Sequence, residues 1–195
     1  MADIGSYRVR ILTQERGEQE AVISPAAVIS PATVDDMSSN WTFHWQELWR
    51  RTDFDLQSIV KLVYDQQVWG LIRYIVFPYP GTPETLEIQH LESNPVARGQ
   101  EANRVIEPIG KWLFWYATQV GLQYCSGGLS DTRIILVSLD SAFDYYRDII
   151  KMQYVGATNI APGEDGYVFK FSRDNAAAFI RRHESQWGIP TFVDS

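Results

Sequence analysis

The stretch Thr85–Arg104, "TLEIQHLESNPVARGQEANR", decides how the rest of the chain is read. Its opening, "TLEIQHLES", has the alternation of a strand, and Asn94-Pro95 breaks that pattern. Beyond the break, Ala102, Val105, Ile106, Ile109, Trp112, Leu113, Tyr116 and Val120 recur at three- and four-residue steps, with Gly121 as a natural stop. A helix that opens directly after a strand presents unpaired N–H groups and the positive end of its macrodipole, a ready site for pyrophosphate. Arg98 and Arg104 add charge there, and Gly99 permits close backbone approach. Pro108 complicates the helix. The unbroken apolar steps favour a helix from near Gln100 with a kink at Pro108; alternatively, the regular helix starts at Pro108 and "GQEANRVIE" is an irregular turn.

Upstream, "YRVRILT" reads as a strand, and residues 14–40, with "VISPA" at Val22 and again at Val28, read as a connector. "DDMSSNWTFHWQELWRR" reads as a helix whose Trp41, Trp45 and Trp49 form a core-facing stripe, with His44 on another face. "SIVKLVYDQQVWGLIRYIVF" gives two strands joined at Asp65-Gln66-Gln67, and "PYPGTP" is a loop. Downstream, "TRIILVSL" is a buried strand, "DSAFDYYRDIIKM" a short helix, and "QYVGA" and "GYVFKFS" closing strands. "DNAAAFIRRHESQW" is a terminal helix capped by Asp174 or Asn175, with His183 on its polar side. The mixture predicts one α/β (α+β) domain over residues 1–195.

Composition narrows the function. The chain has 195 residues and a net charge of −7, which argues against nucleic acid, because binding a phosphate backbone depends on clustered Lys and Arg. No apolar run approaches the roughly 20 residues that span a bilayer, and "MADIGSYRVR" lacks a signal-peptide apolar segment, so no membrane partner and a cytoplasmic location are expected. The single cysteine, Cys125, excludes an internal disulfide and a thiolate zinc cage; no metal is expected, and Cys125 itself reads as structural.

The order "LESNPVARGQ", helix, strand, then "AFDYYRDIIKMQYVG" resembles the GCN5-related N-acetyltransferase (GNAT) superfamily, most strongly over residues 59–171. In that family an R-G-x-G-x-G/A loop holds the coenzyme A pyrophosphate, and a later helix reads A-x-x-x-Y before Gly-Phe. Here Ala142 and Tyr146 keep the spacing, while Lys151-Met152 stands in place of Gly-Phe. The resemblance implies a central mixed, mostly antiparallel sheet with helices on both faces. It also implies acetyl-CoA (or another acyl-CoA) as co-substrate and direct transfer of the acyl group to a primary amine on a small molecule or peptide. Dimers are common in the family, and the tail "WGIPTFV" would pack on a neighbour or on its own domain.

The implied coenzyme contacts are Leu91, Ser93, Arg98, Gly99, Gln100, Glu101, Ala102, Asn103 and Arg104. Glu101 and Asn103 depart from the small residues of the family loop. A glutamate about 5 Å from a bound pyrophosphate costs on the order of 3 kcal/mol at an effective dielectric near 20, unless it turns aside or pairs with Arg98 or Arg104. The strand period puts His90 and Glu92 on one face with Ile88, and Glu87 on the other with Gln89 and Leu91. Glu92 and His90 are therefore candidate bases, with Glu87 behind them, and backbone N–H groups around Leu91 would hold the thioester oxygen. The resemblance implies Tyr146 as the acid that protonates the departing thiolate; the spacing from Ala142 selects it over Tyr145. The rival reading is a GNAT-fold acyl-CoA sensor or interaction module without transfer activity, favoured by Glu101, Asn103 and the missing Gly-Phe. If Trp41, Phe43, Trp45 and Trp49 line a pocket instead of the core, a bulky or cationic acceptor is expected.

Overall fold

In the computed structural model the described residues are 2–13, 22–78, 80–97 and 106–194. They form one ten-stranded sheet: β1 (Ser6–Thr13), β2 (Val22–Pro31), β3 (Gln57–Tyr64), β4 (Gln67–Phe77), β5 (Thr85–Ser93), β6 (Ile106–Glu107), β7 (Thr132–Leu139), β8 (Gln153–Ala161), β9 (Glu164–Ser172) and β10 (Thr191–Val193). The strand order is β10-β1-β2-β3-β4-β5-β7-β9-β8, with β6 beside β1. Every pairing is antiparallel except β5–β7. Parallel neighbours need a crossover, and α2 (Ile109–Tyr124) supplies it. The β3–β4 hairpin turns on Asp65 and Gln66, both with positive φ, as a tight two-residue connection requires.

Helix α2 is buried on almost every side, including Trp112, Leu113, Phe114, Tyr116 and Val120. It lies between the sheet and α3 (Arg173–Trp187), held by Trp112 Nε1 donating to the Arg10 carbonyl (2.6 Å) and Trp115 Nε1 donating to Glu184 Oε1 (2.9 Å). Gly70 of β4 lets it approach: a Cβ there would sit 2.5 Å from Ile109 and 2.7 Å from Leu113. The opposite face of the sheet carries α1 (Trp45–Arg50) over a smaller cluster of Met37, Trp41, Trp45, Ile59 and Leu71. Helices therefore cover both faces. No helix among the described residues is long and apolar enough to cross a membrane.

Several expectations are corrected. Residues 22–31 are a strand, not a connector; Pro25 falls where β2 pairs only with β1 and the register shifts, and Pro31 ends the strand. The three-tryptophan helix shortens to α1, with Trp41 in the preceding loop, although Trp41 and Trp45 are buried. Regular helix begins at Ile109 with Pro108 as its cap, so there is no kinked helix through Pro108. Ile106-Glu107 instead pairs with β1, an alternative that satisfies the backbone where proline offers no N–H. Ser172, not Asp174 or Asn175, caps α3 by accepting from the Asn175 N–H (3.3 Å). His183 lies in the core, 3% exposed, stacked on Phe179 and 4.1 Å from Trp112. The C-terminal tail packs on its own domain, as β10 against β1 with Phe192 on Tyr7.

Candidate active site at the split between the parallel strands

Strands β5 and β7 pair only from Leu86–Ile134 to Ile88–Leu136. Beyond that rung they part, and a cavity of about 560 Å³ opens between them. Its walls come from Leu91, Glu92 and Ser93 of β5, Leu139 at the end of β7 with Ser141 and Ala142 after it, and Pro108 to Lys111 at the start of α2. Thr42 and Phe43 before α1, and Gln186 and Trp187 at the end of α3, complete it. Ala97 and Ile106 also line it. The predicted contacts Arg98, Gly99, Gln100, Glu101, Ala102, Asn103 and Arg104 fall between, outside the described residues.

A bulge shapes the floor. Arg73 faces His90 but Tyr74 faces Ile88, so Gln89 is an extra residue in β5 and reverses the alternation after it. Ile88 and Leu91 therefore share the α2 face, while His90 and Glu92 point to the α1 face beside Phe43 and Trp45. This overturns the grouping of His90 and Glu92 with Ile88; a uniform period of two cannot anticipate the bulge.

The predicted bases have distinct surroundings. Glu92, 4% exposed, accepts from the Thr42 N–H (2.7 Å), the Phe43 N–H (3.1 Å) and Trp45 Nε1 (2.8 Å). One carboxylate thus ties the loop before α1 to the central strand. His90 is half-buried between the Phe43 and Trp45 rings and does not line the cavity; its Nδ1 has no hydrogen-bond partner. Burial, with Arg73 opposite, pushes its pKa down despite the pull of Glu92, so the ring is neutral at pH 7. Glu87 sits on the middle of the three paired rungs, opposite Ile135, and does not line the cavity; burial raises its carboxyl pKa.

Tyr145 and Tyr146 begin a π-type turn, Tyr145–Ile150, and both line the cavity. The expectation that only one could face it is corrected, because the turn is not α-helical. Tyr146 is 9% exposed, packed on Phe114 and Phe169, and burial pushes its hydroxyl pKa well above the ordinary tyrosine value. The Tyr145 hydroxyl and Ser93 Oγ both lie over the first turn of α2, 3.5 and 3.7 Å from where a Cβ on Gly110 would stand. Lys151 ends the turn in the left-handed region, φ 68°, and Met152 is buried. A residue that would favour glycine thus stands where the family has one.

Of the four aromatics weighed as pocket or core, only Phe43 lines the cavity, and sequence reasoning missed Thr42, Lys111, Gln186 and Trp187. All but Lys111 lie far from β5 in the sequence, and no local pattern carries a contact of that span. Cys125 is buried, its pKa raised to about 11 mainly by burial, which makes it a poor nucleophile. Among the described residues no group of three or more His, Cys, Asp or Glu is placed to hold a metal.

A mixed sheet split between two parallel strands, with the crossover helix starting at the split, is the fold of the GNAT acetyltransferases. Solved structures share it. An uncharacterised protein from Bacillus halodurans matches 82% of this chain and 91% of its own with TM-score 0.56 at 11% identity. An N-acetyltransferase from Staphylococcus aureus matches 75% of this chain and 98% of its own with TM-score 0.52 at 16% identity. A GNAT-family acetyltransferase from Elizabethkingia anophelis, solved with acetyl-CoA bound, matches 76% and 99% with TM-score 0.50 at 11% identity. At these identities the likeness is one of fold. No family model and no curated protein matches the sequence.

Proposed function

We propose that the protein transfers an acetyl or other acyl group from acyl-CoA to a primary amine. The observation that supports this most is the cavity between the parted strands, with the first turn of α2 in its wall. Unpaired N–H groups there suit a pyrophosphate. The acyl-pantetheine arm would then run along β5 into the split, and N–H groups near Leu91 would face the thioester oxygen as its charge develops. Arg98, Gly99, Gln100, Glu101, Ala102, Asn103 and Arg104 are the proposed phosphate contacts, as the resemblance implies.

Tyr146 is the proposed proton donor to the departing thiolate: its burial keeps the hydroxyl protonated at all physiological pH values. Glu87 is the proposed base. It lies in the paired part of β5, one rung before the split and outside the cavity wall, none of the described hydrogen bonds engages it, and burial raises its carboxyl pKa. Glu92 and His90 serve better as supports for the acceptor-side loop, because Glu92 already accepts three N–H donors and His90 sits behind Phe43. The test is thiol release with acetyl-CoA and a panel of small amines and peptides. Turnover should fall tenfold or more in Tyr146→Phe and in Glu87→Gln while acetyl-CoA affinity holds, the range for loss of one acid or base being roughly 10²–10⁴. If Tyr146→Phe is unaffected but Tyr145→Phe is slow, the acid is Tyr145.

The second reading is an acyl-CoA-binding module without transfer. It is favoured by the same occupied state of Glu92. Binding of acetyl-CoA with no thiol release on any amine would establish it.

A further inference from the structure

Arg73 of β4 is a buried cation, 8% exposed, that pairs with no carboxylate among the described residues. Its Nη2 donates to Gln57 Oε1 (2.8 Å), its Nε has no hydrogen-bond partner, and none of the described hydrogen bonds uses Nη1. Glu92 lies on the same face but is turned to the Thr42 and Phe43 N–H groups and to Trp45 Nε1. Buried charges are normally paired, because an uncompensated one destabilises the fold. His90, directly opposite Arg73 on β5, adds a second orphan in its Nδ1. The surroundings are open on the α1 side. Gln57, Glu87, Gln89 and His90 are only half-buried, and the register sets half-buried Ile135 and exposed Val137 of β7 beside them on that face. This patch flanks the last paired rung, Ile88–Leu136, where the split begins.

We infer that Arg73 holds a carboxylate of the acceptor, so that the amine acylated here belongs to a small molecule carrying both an amino group and a carboxylate. The inference rests on the acyl-transfer reading above and names its substrate class. A carboxylate supplies the counter-charge that Arg73 lacks and accepts from its unengaged N–H groups, a charge-assisted contact. The His90 imidazole adds a hydrogen bond, and Ile135 and Val137 offer an apolar edge to the carbon chain. Leu91 follows His90 in β5, so an acceptor anchored beside His90 meets the thioester from the α1 side. As the N–C bond forms and the C–S bond breaks, the amine gives up a proton and the departing thiolate gains one.

The test is thiol release from acetyl-CoA by the full chain, with glycine, β-alanine and γ-aminobutyrate each set against the same molecule without its carboxylate: methylamine, ethylamine and propylamine. The better carboxylate-bearing acceptors should have kcat/KM about tenfold higher than their partners, the equivalent of one charge-assisted contact. The gap should lie in KM and disappear in Arg73→Met, which separates it from any difference in amine basicity. Arg73→Met should fold, because Gln57 Oε1 keeps the Asp53 N–H (3.0 Å) and removal of an unpaired buried charge favours the folded state. A readout that needs no variant is the Arg73 Nε–H resonance, which should shift with γ-aminobutyrate and not with propylamine. Equal turnover within every pair overturns the inference and spares the acyl-transfer reading. No thiol release with any amine overturns that reading, and an Arg73 resonance that no carboxylate-bearing amine moves overturns the inference itself.

Discussion

The two faces of β5 are built on different principles. On the α2 side, Leu86 and Ile88 join a continuous apolar core with Trp112, Phe114, Phe169 and Phe171. On the α1 side, a smaller aromatic cluster is organised by polar groups: Glu92 holds three N–H donors, and buried Arg73 gives Nη2 to Gln57 Oε1 (2.8 Å) while its Nε has no partner. The first face takes its stability from area, which is spread over many residues. The second concentrates its cohesion in one carboxylate. A site that must admit acceptors of varied shape is more easily built on the second kind of face, since few contacts fix its loop.

That contrast can be broken most severely at Glu92. Glu92→Ala leaves three N–H groups without their acceptor and should cost about 3 kcal/mol or more in denaturant unfolding. A loss of turnover at unchanged stability would instead mark Glu92 as the base. The α2 side has its own exception in His183, whose pKa burial depresses to about 3, with Lys111 adding to the effect. The folded protein binds this proton more weakly than the unfolded chain, so the contribution is complete above about pH 6.5 and is lost as pH falls towards 3. The slope is about 1.4 kcal/mol per pH unit, or roughly 3 kcal/mol by pH 4.5, and His183→Leu should remove it from the acid-unfolding profile.

A smaller effect is expected at Gly70. Gly70→Ala must push Ile109 and Leu113 away, costing about 1–3 kcal/mol in thermal or denaturant unfolding and weakening coenzyme binding by displacing the first turn of α2. Smallest is Lys151→Gly, which relieves a left-handed residue and should stabilise by about 0.5–1 kcal/mol. A loss of stability there would mean that the Lys151 side chain makes contacts worth more than its backbone strain.

The contrast also explains what could be read in the sequence. Strands β5 and β7 were delimited to the residue because apolar alternation and turn residues are local signals. The split between them was not read from the sequence, since strand divergence leaves no periodic mark. The face reversal at Gln89 was illegible because a bulge of one residue looks like ordinary strand. Pro108 misled for a related reason: the apolar steps continue through it although the chain is paired with β1 before it and helical after it. The expected candidates Glu92 and Tyr146 both line the cavity, but the loop that Glu92 holds lies 47 to 50 positions away, a contact no spacing rule contains. His183 was placed on a polar face because "RRHESQ" is polar around it; Trp112 and Phe179 decided otherwise.

The central claim is that acyl-CoA enters the split between β5 and β7. The most direct measurement is a calorimetric titration with acetyl-CoA of the unsubstituted protein and of Ala142→Trp, which fills the cavity from its β7 side. The account predicts one-to-one binding in the micromolar range, about −8 kcal/mol, and at least a tenfold loss in the variant at unchanged secondary structure. Absence of binding, or binding that Ala142→Trp leaves intact, would contradict it.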